Sequence, residues 1–130
     1  RKFFEVGPSK GDLAAADALL ASGFSLHVPL PVAGPGIEAI NNVVTTCRAA
    51  FHGLNVTIED MMADGDKVTC RFTARGEHKG EFMGLPPTGK PIVMTGIEIF
   101  RMENGKIAEL WGEANLMGLM VQLGILPSSA

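Results

Sequence analysis

A chain of 130 residues with 46% hydrophobic and 19% charged residues and a formal charge of −3 is long enough for one packed domain and too short for two, so residues 1–130 are expected to fold as a single unit. Lysine and arginine are scattered and the pI is near 5.6, which excludes the basic footprint of a nucleic-acid or anionic-membrane partner. No apolar run approaches the ~20 residues of a membrane span, and a mean hydropathy of +0.22 leaves apolar surface for a pocket, a subunit interface or both.

The opening RKFFEVG reads as the tail of a helix that begins upstream. In KGDLAAADALLASGF, Asp12 is a candidate N-cap and Gly23 a stop, which predicts a helix over 12–22. The following LHVPLPVAGPG carries Pro29, Pro31 and Pro35 and predicts a stiff irregular loop. Ile37, Ile40, Val44, Cys47 and Phe51 then recur at helical spacing, so a second helix over 36–52 should lay one apolar stripe on the core, with His52 at its end.

After Gly53 the period changes to two. Leu54, Val56 and Ile58 alternate with polar residues, as do Val68, Cys70, Phe72 and Ala74, and the two strands flank ADGD. A three-residue turn there, setting Ile58 opposite Cys70 and Val56 opposite Phe72, matches the faces. GEFMGLPPTGKP predicts a loop, Ile92 to Met102 a third strand, ENGK a turn, Ile107 to Glu113 a fourth strand, and ANLMGLMVQLG a terminal helix. The layout is α+β: a curved four-stranded antiparallel meander with helices on one face. Val93, Thr95, Ile97 and Ile99 make the third strand apolar on its other face too, which predicts a homodimer across the sheet.

Cys47 and Cys70, the only cysteines, fall in phase with apolar neighbours. They read as reduced core residues and suggest a cytoplasmic setting. There is no phosphate loop, CxxC pair, metal-binding histidine spacing or GxSxG elbow, so neither a metal nor a cofactor is expected. What remains is a few polar residues among apolar ones. Glu98 is the sharpest, because MTGIEIFRM puts it in phase with Met94, Phe100 and Met102. A carboxyl desolvated there would have a raised pKa and could exchange protons near neutral pH; the alternatives are an ion pair with an arginine such as Arg71 or Arg75, or a place at a wet subunit interface. His78 opens the glycine loop and could donate to a substrate oxygen or simply bond a loop carbonyl, and His27 in the proline loop is similar. Phe72, Phe82, Met83, Phe100, Leu110, Trp111, Asn115 and Met117 are candidate ligand contacts, with Met94 and Met120 as further candidate pocket walls; packing as ordinary core is the alternative for the apolar ones.

The run HKGEFMGLPPTGKPIVMTGIEIFRMENGKIAELWGEANLMGLMVQLG resembles the C-terminal half of SnoaL-like polyketide cyclases and the related ester cyclases, which belong to the nuclear-transport-factor-2-like superfamily of cone-shaped α+β folds. H-x-G-x-F-x-G-x-P-P-T-G, His78 to Gly89, is its most specific part, and the likeness extends upstream through KGDLAAADALLASGFSLHVPLP and EDMMADGDKVTCRFTARGEH. The resemblance implies an aldol-type ring closure of an apolar, polyketide-like carbonyl compound in a buried cavity without metal or cofactor, run by an aspartate beside a histidine. Here the histidine position falls at Glu98 and the aspartate position at Gly112, with ELWG in place of EHWD and Asn115 at the later aspartate. The expected function is therefore cofactor-free acid/base chemistry with Glu98, His78 and His27 as catalytic candidates. The alternative is a non-catalytic binding module, because glycine carries no proton.

Overall fold

The computed structural model describes residues 11–28, 36–82 and 84–124. In chain order these form α1 (Leu13–Asp17), β1 (Leu20–His27), α2 (Gly36–Ala50), β2 (Phe51–Asp64), β3 (Lys67–His78), β4 (Pro91–Glu103), β5 (Lys106–Ala114) and α3 (Leu116–Gln122). The strands make one curved, unclosed sheet in the order β1-β5-β4-β3-β2. Pairs β2/β3, β3/β4 and β4/β5 are antiparallel. The meander is thus present, as is the α+β class with helices against the sheet.

One element differs from the expectation. The helix predicted over 12–22 is a single turn and a half, capped as anticipated by Asp12, whose side chain accepts from the Ala15 N–H at 3.1 Å. Leu20 onward is instead a fifth strand, parallel to β5 with Leu26 opposite Leu110 and His27 opposite Trp111. The reason is tertiary: β5 would otherwise expose a full edge of unpaired N–H and C=O groups, and satisfying that edge outweighs the helix propensity of alanine and leucine. Leu20 and Phe24, four residues apart and so of the same parity, still reach the core, while the pairing with β5 is irregular between Leu20 and Ser25.

α2 forms for the reasons its spacing suggested. Ala39, Ile40, Val44 and Ala50 are its buried face, with Glu38 in the first turn and Arg48 in the last complementing the helix dipole. The helix stops at Ala50, so His52 lies in β2 opposite Glu77 rather than at a helix end. In the β2/β3 hairpin, Ile58 faces Phe72 and Val56 faces Ala74, two positions away from the predicted pairing. A tight Gly65-Asp66 loop closes it, Gly65 having φ +61°, and a bulge between Ile58 and Asp60 restores the inward face that the tight loop alone would invert. β4/β5 uses the same device: Asn104 and Gly105 both take positive φ, as a two-residue hairpin loop requires, and a bulge after Arg101 brings Glu98 opposite Gly112 and Phe100 opposite Leu110.

The interior divides into two apolar clusters. One gathers Ala16, Leu20, Phe24, Ile40, Cys70, Phe100, Ile107 and Leu110; the other gathers Ala50, Phe51, Leu54, Phe72, Ala74, Phe82, Ile92, Leu119 and Leu123. Between them the curved sheet and α2 do not close completely. Among the described residues no helix is long and apolar enough to cross a membrane.

Candidate functional site

The gap between the two clusters is a cavity of about 120 Å³. α2 supplies Ile40, Val43, Val44 and Cys47; β2 supplies Phe51, Leu54 and Val56; β3 supplies Phe72 and Ala74; and Phe82 comes from the following loop. β4 adds Ile92, Met94 and Glu98, while Leu110, Gly112, Glu113, Ala114 and Leu116 complete the wall with Val28 from the end of β1; Glu113 is itself exposed and pairs with Ile97 on the outward parity of β5. Inward-facing strand residues at every second position, met by one helical stripe, explain why so many apolar groups converge there.

Glu98 breaks that apolar lining. Its strand parity sets it beside Cys70 on β3 and Gly112 on β5, and its Oε2 is shielded from solvent with no hydrogen-bond partner among the described residues. Arg71 and Arg75 stand opposite Ile97 and Val93, on the other face of the sheet, and Arg71 pairs there with Asp60 at 2.7 Å. Neither arginine offsets the carboxyl's burial. Desolvation therefore pushes the Glu98 pKa up to about 8, so the group is predominantly neutral at pH 7. Glu98 as a whole residue is half-buried, but it is the setting of the carboxyl oxygens, inside the apolar lining, that governs ionisation. Burial also pushes the Cys47 thiol up, to about 11, which keeps it protonated.

The two histidines stand away from the cavity. His78 is fully buried at the end of β3 and holds the glycine-proline loop: its backbone N–H donates to the Lys90 carbonyl, its own carbonyl accepts from Gly89, and its Nδ1 accepts from the Thr88 N–H at 3.2 Å. With Nδ1 accepting, the neutral ring carries its proton on Nε2, which is buried without a partner among the described residues. His78 touches the site indirectly, through Phe51, whose ring centroid is 5.7 Å away and which lines the cavity. His27 lies on the outer face, stacked on Trp111 at 5.5 Å, with its Nε2 2.7 Å from Glu109 Oε2. Hydrogen bonds from His27 and Arg101 in turn hold the Glu109 pKa below the ordinary carboxylate range.

Of the candidate ligand contacts, Phe72, Phe82 and Leu110 line the cavity. Phe100 is buried in the first core cluster, Trp111 is on the outer face with His27, and Met117 is 72% exposed. Asn115 caps α3, its side-chain oxygen accepting from the Gly118 N–H at 2.9 Å, and Met83 lies outside the described residues. Met94 is part of the wall, whereas Met120 packs against the second cluster. The contacts that sequence reasoning left as plain core are those of α2 and early β2, notably Val44, Cys47, Phe51 and Leu54; only the helical stripe and, for Leu54, the strand alternation pointed to them, and neither period distinguishes a filled interior from a cavity wall.

A curved, unclosed sheet with helices packed against it over an apolar cavity is an α+β fold of the nuclear-transport-factor-2-like type. The sequence model of the SnoaL-like polyketide cyclases matches residues 1–123, and the chain belongs to that family. Among solved structures, TsrD from Streptomyces laurentii is 30% identical, with a TM-score of 0.86 over 96% of this chain and 92% of that one. IdmH from Streptomyces antibioticus is 33% identical, with a TM-score of 0.81 over 94% and 93%. A protein of ketosteroid-isomerase-like fold from Catenulispora acidiphila, at 18% identity and a TM-score of 0.79 over 96% and 92%, shares the fold. No curated protein matches the chain.

Proposed function

We propose that the protein is a cofactor-independent acid/base enzyme acting on an apolar carbonyl compound, with Glu98 as its proton-transfer group. The observation that carries this reading is the unpaired Glu98 carboxyl in an otherwise apolar cavity, poised near neutral pH. In its ionised form Glu98 takes a proton from carbon next to a carbonyl; the enolate carbon then attacks a second carbonyl of the same molecule, forming the new C–C bond, and the protonated Glu98 returns its proton to the resulting alkoxide. Returned to a different carbon instead, the proton completes an isomerisation. Both outcomes leave the carboxyl as it began and need no redox partner. IdmH, a candidate polyketide cyclase, and AclR from Streptomyces galilaeus, a candidate hydroxylase at 28% identity, are similar structures and fit a polyketide-like substrate for the present chain.

His78 belongs in this reading as a positioning residue behind Phe51, and His27 as an outer-face residue. A second reading, a binding module, is favoured by one observation: Gly112 stands directly opposite Glu98, so no side-chain carboxyl faces Glu98 across the β4/β5 ladder. Deuterium exchange at the carbon next to the carbonyl of phenylacetone, followed by NMR in D2O, separates the two. The enzyme reading expects exchange above the buffer rate that Glu98→Gln abolishes; no excess exchange with phenylacetone or bulkier aryl ketones leaves the binding module. The exposed apolar strip of β4 supports a homodimer across the outer sheet face, and Cys47 and Cys70, not joined in a disulfide, are in keeping with a reducing, cytoplasmic setting.

A further inference from the structure

The polar end of the cavity has a shape as well as a charge state. Gly112 faces Glu98 across the β4/β5 ladder, and a Cβ built on it would lie 3.1 Å from Val28 Cγ1 and 3.6 Å from both Glu98 Cγ and Leu110 Cδ2. Any larger side chain would therefore project between Val28 and Leu110 beside the carboxyl. Gly112 lines the cavity beside the carboxyl, and the crowding a Cβ would meet there means that only glycine leaves this end of the cavity unfilled. A cavity of about 120 Å³ is close to the ~150 Å³ apolar cavity that stays dry and admits a benzene ring, so the enclosed part suits one ring and a short oxygen-bearing arm.

We propose that Gly112 is the specificity-determining residue of this cavity: it opens an oxygen seat against Glu98, so that the ligand is a neutral molecule with a one-ring-sized apolar body and a carbonyl-type acceptor placed over Gly112. The inference deepens the acid/base reading and rests on the same site. The neutral carboxyl donates its O–H to the ligand oxygen, which gives an otherwise unpartnered group its hydrogen bond. An anion would enter an apolar cavity whose described lining holds no cation to meet it. The other groups near Glu98 leave this picture intact. Cys47, from α2, stays protonated; Cys70 is its neighbour on β3; Glu113 pairs with Ile97 on the outward parity of β5; and Arg71 and Arg75 are on the far side of the sheet.

Three probes of nearly one shape test it by calorimetry on the intact chain: phenylacetone, its hydrocarbon isostere methallylbenzene, and phenylacetate. At pH 6.5 the ketone should bind about fivefold tighter than the hydrocarbon, the worth of one added hydrogen bond, and phenylacetate weaker than either. The preference for the ketone should vanish in Glu98→Met and fade in the wild type above pH 8, where the carboxyl ceases to donate. Gly112→Val, verified as folded by circular dichroism, should lose tenfold or more in affinity for the ketone. Equal binding of ketone and hydrocarbon by the wild type, or phenylacetate binding as well as the ketone, overturns the oxygen seat; a folded Gly112→Val with unchanged affinity overturns the role of Gly112. Selective binding without carbon-bound proton exchange upholds this inference while sinking the acid/base reading, and exchange without selectivity does the reverse.

Discussion

Glu98 is where chemistry and stability oppose each other. Its carboxyl titrates at 4.5 as an ordinary glutamate and at about 8 in the fold, so the unfolded chain ionises first as pH rises. Between those values the native state holds a proton that the unfolded state has released, and stability falls with increasing pH. The contribution is fully present below pH 4.5 and lost by about pH 8, with an upper bound on the order of 5 kcal/mol at ~1.36 kcal/mol per unit. Glu98→Gln removes this dependence. Thermal melts from pH 5 to 8 should show the variant at least as stable as wild type at pH 7, with its advantage growing towards pH 8; a clear loss of stability at pH 7 would instead mark Glu98 as structurally held. An arginine partner was one alternative legible in sequence, and strand parity decides against it by placing Arg71 and Arg75 on the opposite face.

At the scale of elements, the site depends on how β4 lets its neighbours approach. Gly96 pairs with Phe72 on one side and Ala114 on the other, and a Cβ there would meet Phe72 Cζ at 2.5 Å and the Glu113 carbonyl oxygen at 2.6 Å. The ring can swing away, but the backbone carbonyl cannot, so Gly96→Ala should cost about 1–3 kcal/mol by overpacking and displace Phe72 from the cavity wall. Urea unfolding measures the first effect and loss of ketone affinity the second; wild-type values for both would refute this account of Gly96. The two hairpins carry a related lesson. Their parity could be inferred from which residues had to face inward, and Glu98, Leu110 and Gly112 do share a face. Where the compensating residue sits could not: both turns are tight, and a bulge within the strands restores the face.

For the whole molecule, the outer face of the sheet carries an exposed apolar strip. Val93, Ile97 and Ile99 are 44%, 51% and 36% exposed, with Met62 beside them at 69%, and the Arg71–Asp60 pair and the Arg101–Glu109–His27 cluster lie around this strip. Apolar centre and charged rim together are the anatomy of a subunit interface. A homodimer across this face should sediment as a species near twice the 13.7 kDa chain mass at micromolar concentration, and Ile97→Lys should return it to monomer without altering the fold. Sedimentation of the wild type as a monomer alone would refute the pairing.

The sequence by itself determined the class of fold, the meander, the helical stripe of α2 and the one carboxyl that departs from an apolar strand, because each is a local period or a local exception to one. The turn-rich run from His78 to Gly89 was enough to suggest the family. Only the tertiary structure decided that residues 20–27 pair as an edge strand, that His78 holds a loop while His27 stacks on Trp111 outside, and that the stripe of α2 walls a cavity rather than filling it. Those outcomes depend on what lies across the sheet from each residue. A strand edge seeking hydrogen bonds and a one-residue bulge are non-local, and no window of sequence contains both sides of the contact.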